Sequence, residues 1–397
     1  MKLAQRTNRI SPSPTMAIDA MAKQMVQEGI DVIGFGVGEP DFDTPEHIKE
    51  AAVKALEQGF TKYTPAGGIL ELKEAVRHKL KRDNGLDYKT NEIIITVGAK
   101  HALFNTFQVI LDPGDEVIIP APYWVSYIDQ VRVSGGEAVI VETEEVHGFK
   151  LTAEQLKAAI TPKTRAVVLN SPSNPTGAVY SREELEALAR VVIDADILVV
   201  SDEIYEPFVY DGAEFTSFPS LGPELKERTV LIHGVSKSHA MTGWRIGFAA
   251  GPAKLIAAMN SLQSHSTSNP TSIAQKAAVA ALTGSQQPVH DMVREFARRR
   301  EYLVERLRAI PGIECPMPQG AFYAFPRVSS AFGRKIGGQV IENSSDLAQV
   351  LLQEAKVALV PGSAFGKEGY LRLSYATSME NLEKGMDRIE AFWSKLA

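Results

Sequence analysis

The stretch Ser236-Lys237-Ser238-His239-Ala240-Met241-Thr242-Gly243-Trp244-Arg245-Ile246-Gly247 places one lysine eight residues before one arginine, between two apolar runs. Upstream, Thr229-Val230-Leu231-Ile232-His233 is short, β-branched and apolar; downstream, Ile246-Gly247-Phe248-Ala249-Ala250 is apolar too. Both read as buried strands. Lys237 therefore falls in a loop at a strand end, where open α/β sheets usually carry their chemistry.

A lysine amine has a reference pKa of about 10.4, and apolar neighbours together with a second cation weaken its hold on the proton. The free amine can then attack a carbonyl carbon. Arg245 adds a planar fork of donors suited to a phosphate dianion, and Ser236 a hydroxyl for the same group. An aldehyde bearing a phosphate suits all three. Taken alone, Lys237 reads as a solvated loop residue and Arg245 as the partner of a surface carboxylate.

Working outward, Ile93-Ile94-Ile95-Thr96-Val97 reads as a strand running into Gly98-Ala99-Lys100 and then a helical pattern. The first N–H groups of a helix lack intrahelical acceptors and lie at the positive end of its dipole, while small residues let an anion approach. Gly98 and Ala99 are thus candidates for a phosphate cradle, with Lys100 adding charge. Three more strand-like runs end in polar or aromatic residues. Glu116-Val117-Ile118-Ile119 precedes Tyr123-Trp124, Ala166-Val167-Val168-Leu169 precedes Asn170 and Asn174-Pro175-Thr176-Gly177, and Ile197-Leu198-Val199-Val200 precedes Ser201-Asp202-Glu203-Ile204-Tyr205.

Nearer the N-terminus, Gly36-Val37-Gly38-Glu39-Pro40-Asp41-Phe42 lacks dinucleotide-type GxGxxG spacing and by itself is a tight turn. Thr44-Pro45 reads as a helix start, with Ile48, Ala52, Ala55 and Leu56 as its apolar stripe. Residues 256–281 are helical at both ends and interrupted near 264–270. Residues 288–307 read as a long basic helix with Arg298-Arg299-Arg300 on a solvated face. Strand-like runs follow at 321–325, 357–362 and 370–375; periodicity alone makes Arg372, between Leu371 and Leu373, an exposed edge residue.

Ser-Lys-x-x-x-Met-Thr-Gly-Trp-Arg-Ile-Gly, together with Asn-Pro-Thr-Gly and Asp-Glu-x-Tyr, resembles the class I, fold-type I pyridoxal-phosphate (PLP) aminotransferases, and the motifs run in family order from Gly38 to Arg372. The resemblance implies that Lys237 binds the PLP aldehyde and moves the substrate α-proton, and that Arg245 holds the phosphate. It implies that Trp124 stacks on the pyridine ring, that Asp202 keeps the ring nitrogen protonated, and that Asn174 and Tyr205 donate to the phenolic oxygen. Gly38 would let backbone approach the substrate carboxylate, which Arg372 would grip. Tyr63 would reach the phosphate of a neighbouring subunit, which implies a homodimer.

The implied fold is α/β. A large PLP-binding domain (46–290) has a mainly parallel seven-stranded sheet between helices. A small α+β domain is formed by both termini, from an arm at 1–45 and a C-terminal part at 291–397. The closest likeness is to the bacterial aspartate aminotransferase subgroup, with 2-oxoglutarate as acceptor. The residues leave open alanine, aromatic or kynurenine-type donors, and a C–S lyase on the same scaffold. Members that accept prephenate carry a lysine just before the early Pro-Ser segment, where this chain has Ser11.

With 397 residues, 44% of them hydrophobic and 23% charged, the composition is that of an ordinary soluble protein. The net charge of −6 and the absence of a dense basic block give no reason to expect nucleic acid or a membrane as partner. Cys315, the single cysteine, excludes an intrachain disulfide and a CxxC metal site and suits a reducing compartment, so a cytoplasmic location is expected.

Overall fold

The computed structural model describes residues 2–10, 14–336 and 338–396. A helix, Pro14–Gln27, ends just before Gly29, whose φ of 84° suits the residue after a helix, and the chain continues into the short strand β1 (Ile33–Gly34).

Seven strands then build one sheet: β2 (Ile93–Thr96), β3 (Glu116–Ala121), β4 (Glu137–Glu142), β5 (Thr164–Asn170), β6 (Leu198–Asp202), β7 (Thr229–Gly234) and β8 (Gly247–Ala250). Their order is β2-β8-β7-β6-β5-β3-β4. Pairing from β7 across to β4 is parallel, and β8 runs against both its neighbours. Every residue of β2, β7 and β8 is buried. That is why these strands read as continuous apolar runs rather than alternating ones.

Alternate residues feed separate cores. Ile94, Val117, Ile119, Val168, Val200 and Val230 pack with Leu103 and Phe107 of the helix Ala99–Ile110 on one face. Ile118, Val167 and Val199 meet Leu185, Leu188 and Val192 of the helix Arg182–Ala195 on the other. Around β2 and β8, that second face is covered by the helices Glu46–Glu57, Leu70–Asn84 and Ser272–Thr283.

The sheet's direction decides where chemistry can gather. Asn170 pairs with Asp202, while Gly234 and Thr96 both pair with Gly247. The carboxyl ends of β2, β5, β6 and β7 therefore share one edge with the start of β8, and the loop carrying Lys237 bridges that edge.

The remaining strands are β9 (Tyr323–Ala324), β10 (Lys335–Ile336), β11 (Gln339–Val340), β12 (Val357–Ala358), β13 (Val360–Pro361) and β14 (Leu371–Ser374). They form a β13-β14-β9 sheet and a β10-β11 hairpin, while β12 pairs in parallel with β1 through Ile33 and Val357. Ile33 and Phe35 thereby join the apolar cluster of Leu303, Leu307, Leu373, Ile389 and Trp393, which also reaches Tyr205 and Phe208. Among the described residues no helix is long and apolar enough to cross a membrane.

Some local expectations are corrected. The early helix starts at Glu46 with Pro45 at its cap, and Leu56 is half exposed. The Thr44 hydroxyl donates to Ala240 O at 2.7 Å and accepts from Trp244 Nε1 at 3.0 Å, tying this segment to the lysine loop. The triple arginine is not a solvated face. In the helix Gln287–Ala309, Arg299 and Arg300 are buried, because Asp41 and Glu295 pair with the first and Asp211 with the second, and aromatic rings cover both. Only Arg298 lies outward, paired with Glu295.

Candidate active site

A cavity of about 270 Å³ opens at the carboxyl edge of the sheet. Its lining includes Gly38, Ala99, Lys100, Trp124, Asn174, Asp202, Tyr205, Ser236, Lys237, Arg245 and Arg372, residues drawn from sequence positions more than three hundred apart. Gly98 lies immediately behind. Tyr63 does not join them; it is 92% exposed.

One end of the cavity is built for an anion. Gly98 caps the helix Ala99–Ile110 with a φ of 80°, and the amides of Ala99 and Lys100 begin that helix. A Cβ on Gly98 would stand 2.4 Å from Arg245 Nη2, so glycine is needed for the guanidinium to lie against the helix start. A Cβ on Gly247 would meet Ala99 N at 2.3 Å, which explains the last glycine of the lysine motif as the seat of that helix on β8. Arg245 Nη1 donates to Thr242 O at 2.8 Å, and the buried Ser236 lines the same cavity.

Asp202 ends β6 in the cavity wall. Its Oδ2 accepts from the Tyr127 hydroxyl at 2.7 Å and its Oδ1 from Ile204 N at 3.3 Å. Burial is the largest influence and holds its pKa above the usual carboxylate range, against the downward pull of those two bonds and of the charges of His233 and Lys237. Both donors are neutral, so a buried carboxylate facing the cavity has room for a cationic N–H such as a protonated pyridine. Trp124 presents a ring to the cavity, with Lys100 Nζ 4.8 Å above it.

Lys237 is half-buried, and its Nζ donates to Gly38 O at 2.6 Å. Burial first, then Arg245, Arg372 and Lys100, lower its pKa to about 8 against the opposing charge of Glu39. An appreciable fraction of neutral amine is thus present near neutrality.

Arg372 is 3% exposed, against the edge position its periodicity suggests. Neighbouring strands β9 and β13 cover it on both sides. Nη1 donates to Asn174 Oδ1 at 3.0 Å and Nη2 to Gly36 O at 2.5 Å. The rings of Tyr323 and Phe365 lie 4.5 and 5.0 Å from the guanidinium carbon. Its Nε is buried with no hydrogen-bond partner among the described residues, an unsatisfied donor on a guanidinium that lines the cavity. Anion cradle, a buried carboxyl held only by neutral donors, a low-pKa amine and a cavity-lining arginine together fit PLP and an amino acid.

Sequence reasoning missed Tyr127 and Tyr323, which also line this cavity. Tyr127 had one usable signal, its position three residues after Trp124 at the start of the helix Ser126–Val133. Tyr323 had none beyond strand-like neighbours.

Comparisons with known proteins agree with this geometry. Residues 30–389 match the family model for aminotransferase class I and II. An aspartate aminotransferase of Geobacillus stearothermophilus is 56% identical over 392 residues, 99% of each chain. An aspartate/prephenate aminotransferase of Nitrosomonas europaea is 51% identical over 397 residues, covering 99% of this chain and 100% of the relative. The crystal structure of an aspartate aminotransferase from Rhizobium meliloti superposes with a TM-score of 0.97 at 47% identity, covering 100% of both chains. The chain belongs to the class I PLP-dependent aminotransferases, in the aspartate aminotransferase subfamily.

Proposed function

We propose that the protein transfers the amino group of L-aspartate to 2-oxoglutarate in two half-reactions. One observation carries this reading: the cavity brings Lys237 together with an anion cradle and two further cations, Arg372 and Lys100. The named activity of the most similar relatives supports the same donor.

PLP, when bound, supplies an aldehyde for the amine and an electron-poor ring that stabilises the charge left as the α-proton departs. The amides of Ala99 and Lys100, the Ser236 hydroxyl and Arg245 hold its phosphate. Asp202 keeps a proton at the ring nitrogen, fixed in place by Tyr127 and Ile204 N. Trp124 stacks on the ring. Asn174, whose Oδ1 is taken by Arg372, keeps its amide N–H groups to donate to the phenolic oxygen, as Tyr205 does with its hydroxyl.

Arg372, with Gly38 beside it in the cavity wall, binds the substrate α-carboxylate. Lys237 takes the α-proton and returns it. Of the four cations lining the cavity, Lys100 remains for the side-chain carboxylate of a dicarboxylic substrate. Tyr63 completes the phosphate site of a second copy, so the working unit is a homodimer. Prephenate is not proposed as a substrate; Ser11 lies outside the described residues. A cytoplasmic setting belongs to the same reading, supported by the use of a single cysteine, Cys315.

The test is the visible spectrum of the PLP-loaded protein. L-Aspartate should abolish the lysine-linked band and 2-oxoglutarate restore it with formation of glutamate, and Lys237→Ala should not cycle. A band indifferent to aspartate would overturn the choice of donor.

A further inference from the structure

Tyr323 is 1% exposed on β9. It pairs with Ser374 of β14, two residues from Arg372 and so on the same face of the sheet. Three contacts converge on it. The Arg372 guanidinium lies 4.5 Å over its ring, and its hydroxyl is 2.7 Å from the Tyr205 hydroxyl. The hydroxyl also fills the place a side chain at Gly38 would need, since a Cβ there would stand 2.5 Å from it.

We propose that Tyr323 is a positioning residue joining the cofactor and substrate ends of the site. Its hydroxyl donates to Tyr205, leaving the Tyr205 O–H to donate into the cavity, and its ring holds Arg372 ready for a carboxylate. The proposal rests on the roles given above to Tyr205 and Arg372.

Either hydroxyl of the pair can act as donor. If Tyr205 donated to Tyr323, it would have no proton left for a cofactor oxygen. The positive charge over the Tyr323 ring makes that phenol the better donor, and a chain of two aligned O–H groups strengthens the terminal one. At the other end, the ring fixes the guanidinium plane while Asn174 and Gly36 O engage Nη1 and Nη2, so the unpartnered Nε is presented in one orientation. Gly38 acquires a reason for being glycine in the protein itself, apart from any substrate.

The test uses PLP-loaded Tyr323→Phe and Tyr323→Leu. One readout is the absorbance titration of the lysine-linked cofactor; the other is the Kd of maleate, a dicarboxylate without an amine. The charged groups facing Lys237, namely Glu39, Asp202, Arg245, Arg372 and Lys100, are left unsubstituted in every variant. Tyr323→Phe should raise the apparent pKa of the linkage by about 0.5 unit and leave maleate binding within about twofold, because the ring remains. Tyr323→Leu should show the same rise and also bind maleate about tenfold more weakly. Should Tyr323→Leu fail to fold by thermal melting, Tyr323→Met is the second variant without a ring.

An unchanged pKa in Tyr323→Phe would overturn the relay. Wild-type maleate affinity in a folded variant without the ring would overturn the hold on Arg372. A wild-type protein showing no titrating band would instead overturn the underlying functional reading.

Discussion

At Lys237 the amine is held near a pKa of about 8 by burial and by three surrounding cations. Because this is below the unfolded value of about 10.4, the folded, cofactor-free protein binds fewer protons than the unfolded chain between those limits. Its stability should therefore rise with pH from about 8 to about 10.4. Below pH 8 the cost of burying the charge is fully present. Lys237→Met removes the titrating charge, so the variant should be the more stable at pH 7, and its advantage should shrink towards pH 10. Thermal unfolding of both cofactor-free proteins across that range measures it; a constant difference would refute the assignment. Tyr127 and Tyr323 mark the limit of reading at this scale. Their hydroxyl partners, Asp202 and Tyr205, lie 75 and 118 residues away, and no local spacing encodes such contacts.

Between elements, one tight constraint is the seat of the helix Ala99–Ile110 on β8. Gly247→Ala would put a methyl 2.3 Å from Ala99 N, a backbone atom that no rotamer change can move away. The helix start must shift, and the phosphate cradle moves with it. The expected result is a loss of about 1–3 kcal/mol in urea unfolding, together with markedly weaker PLP binding. Unaltered PLP affinity would show that the cradle is not where the geometry puts it. The helix Gln287–Ala309 teaches a related lesson. A run of three arginines reads as solvent-facing, yet Arg299 and Arg300 are buried because Asp41 and Asp211, distant in sequence, supply the countercharges.

For the whole molecule, the exposure of Tyr63 is the feature that one chain leaves unexplained. If Tyr63 serves the neighbouring subunit, mixing inactive Tyr63→Ala with inactive Lys237→Ala should restore activity. A hybrid dimer then has one site with both lesions and one with neither, so random equal mixing should make roughly a quarter of all sites intact. No recovery after subunit exchange, with hybrids verified by mass, would place Tyr63 outside the partner's site.

Six of the seven strands of the large sheet, the break in residues 256–281 and most of the residues that line the cavity were legible in sequence, whereas β4, a half-exposed edge strand, was not. Buried parallel strands are short continuous apolar runs, and the polar residues that line the cavity follow them in recognisable motifs. Strand order, the reversed direction of β8 and the return of the N-terminal arm onto β12 were decided only by tertiary packing. So were the burial of Arg372 and the two tyrosines behind Asp202 and Tyr205. Each depends on contacts between residues far apart in the chain, and the energy of a burial or a countercharge exists only once the distant partner has arrived.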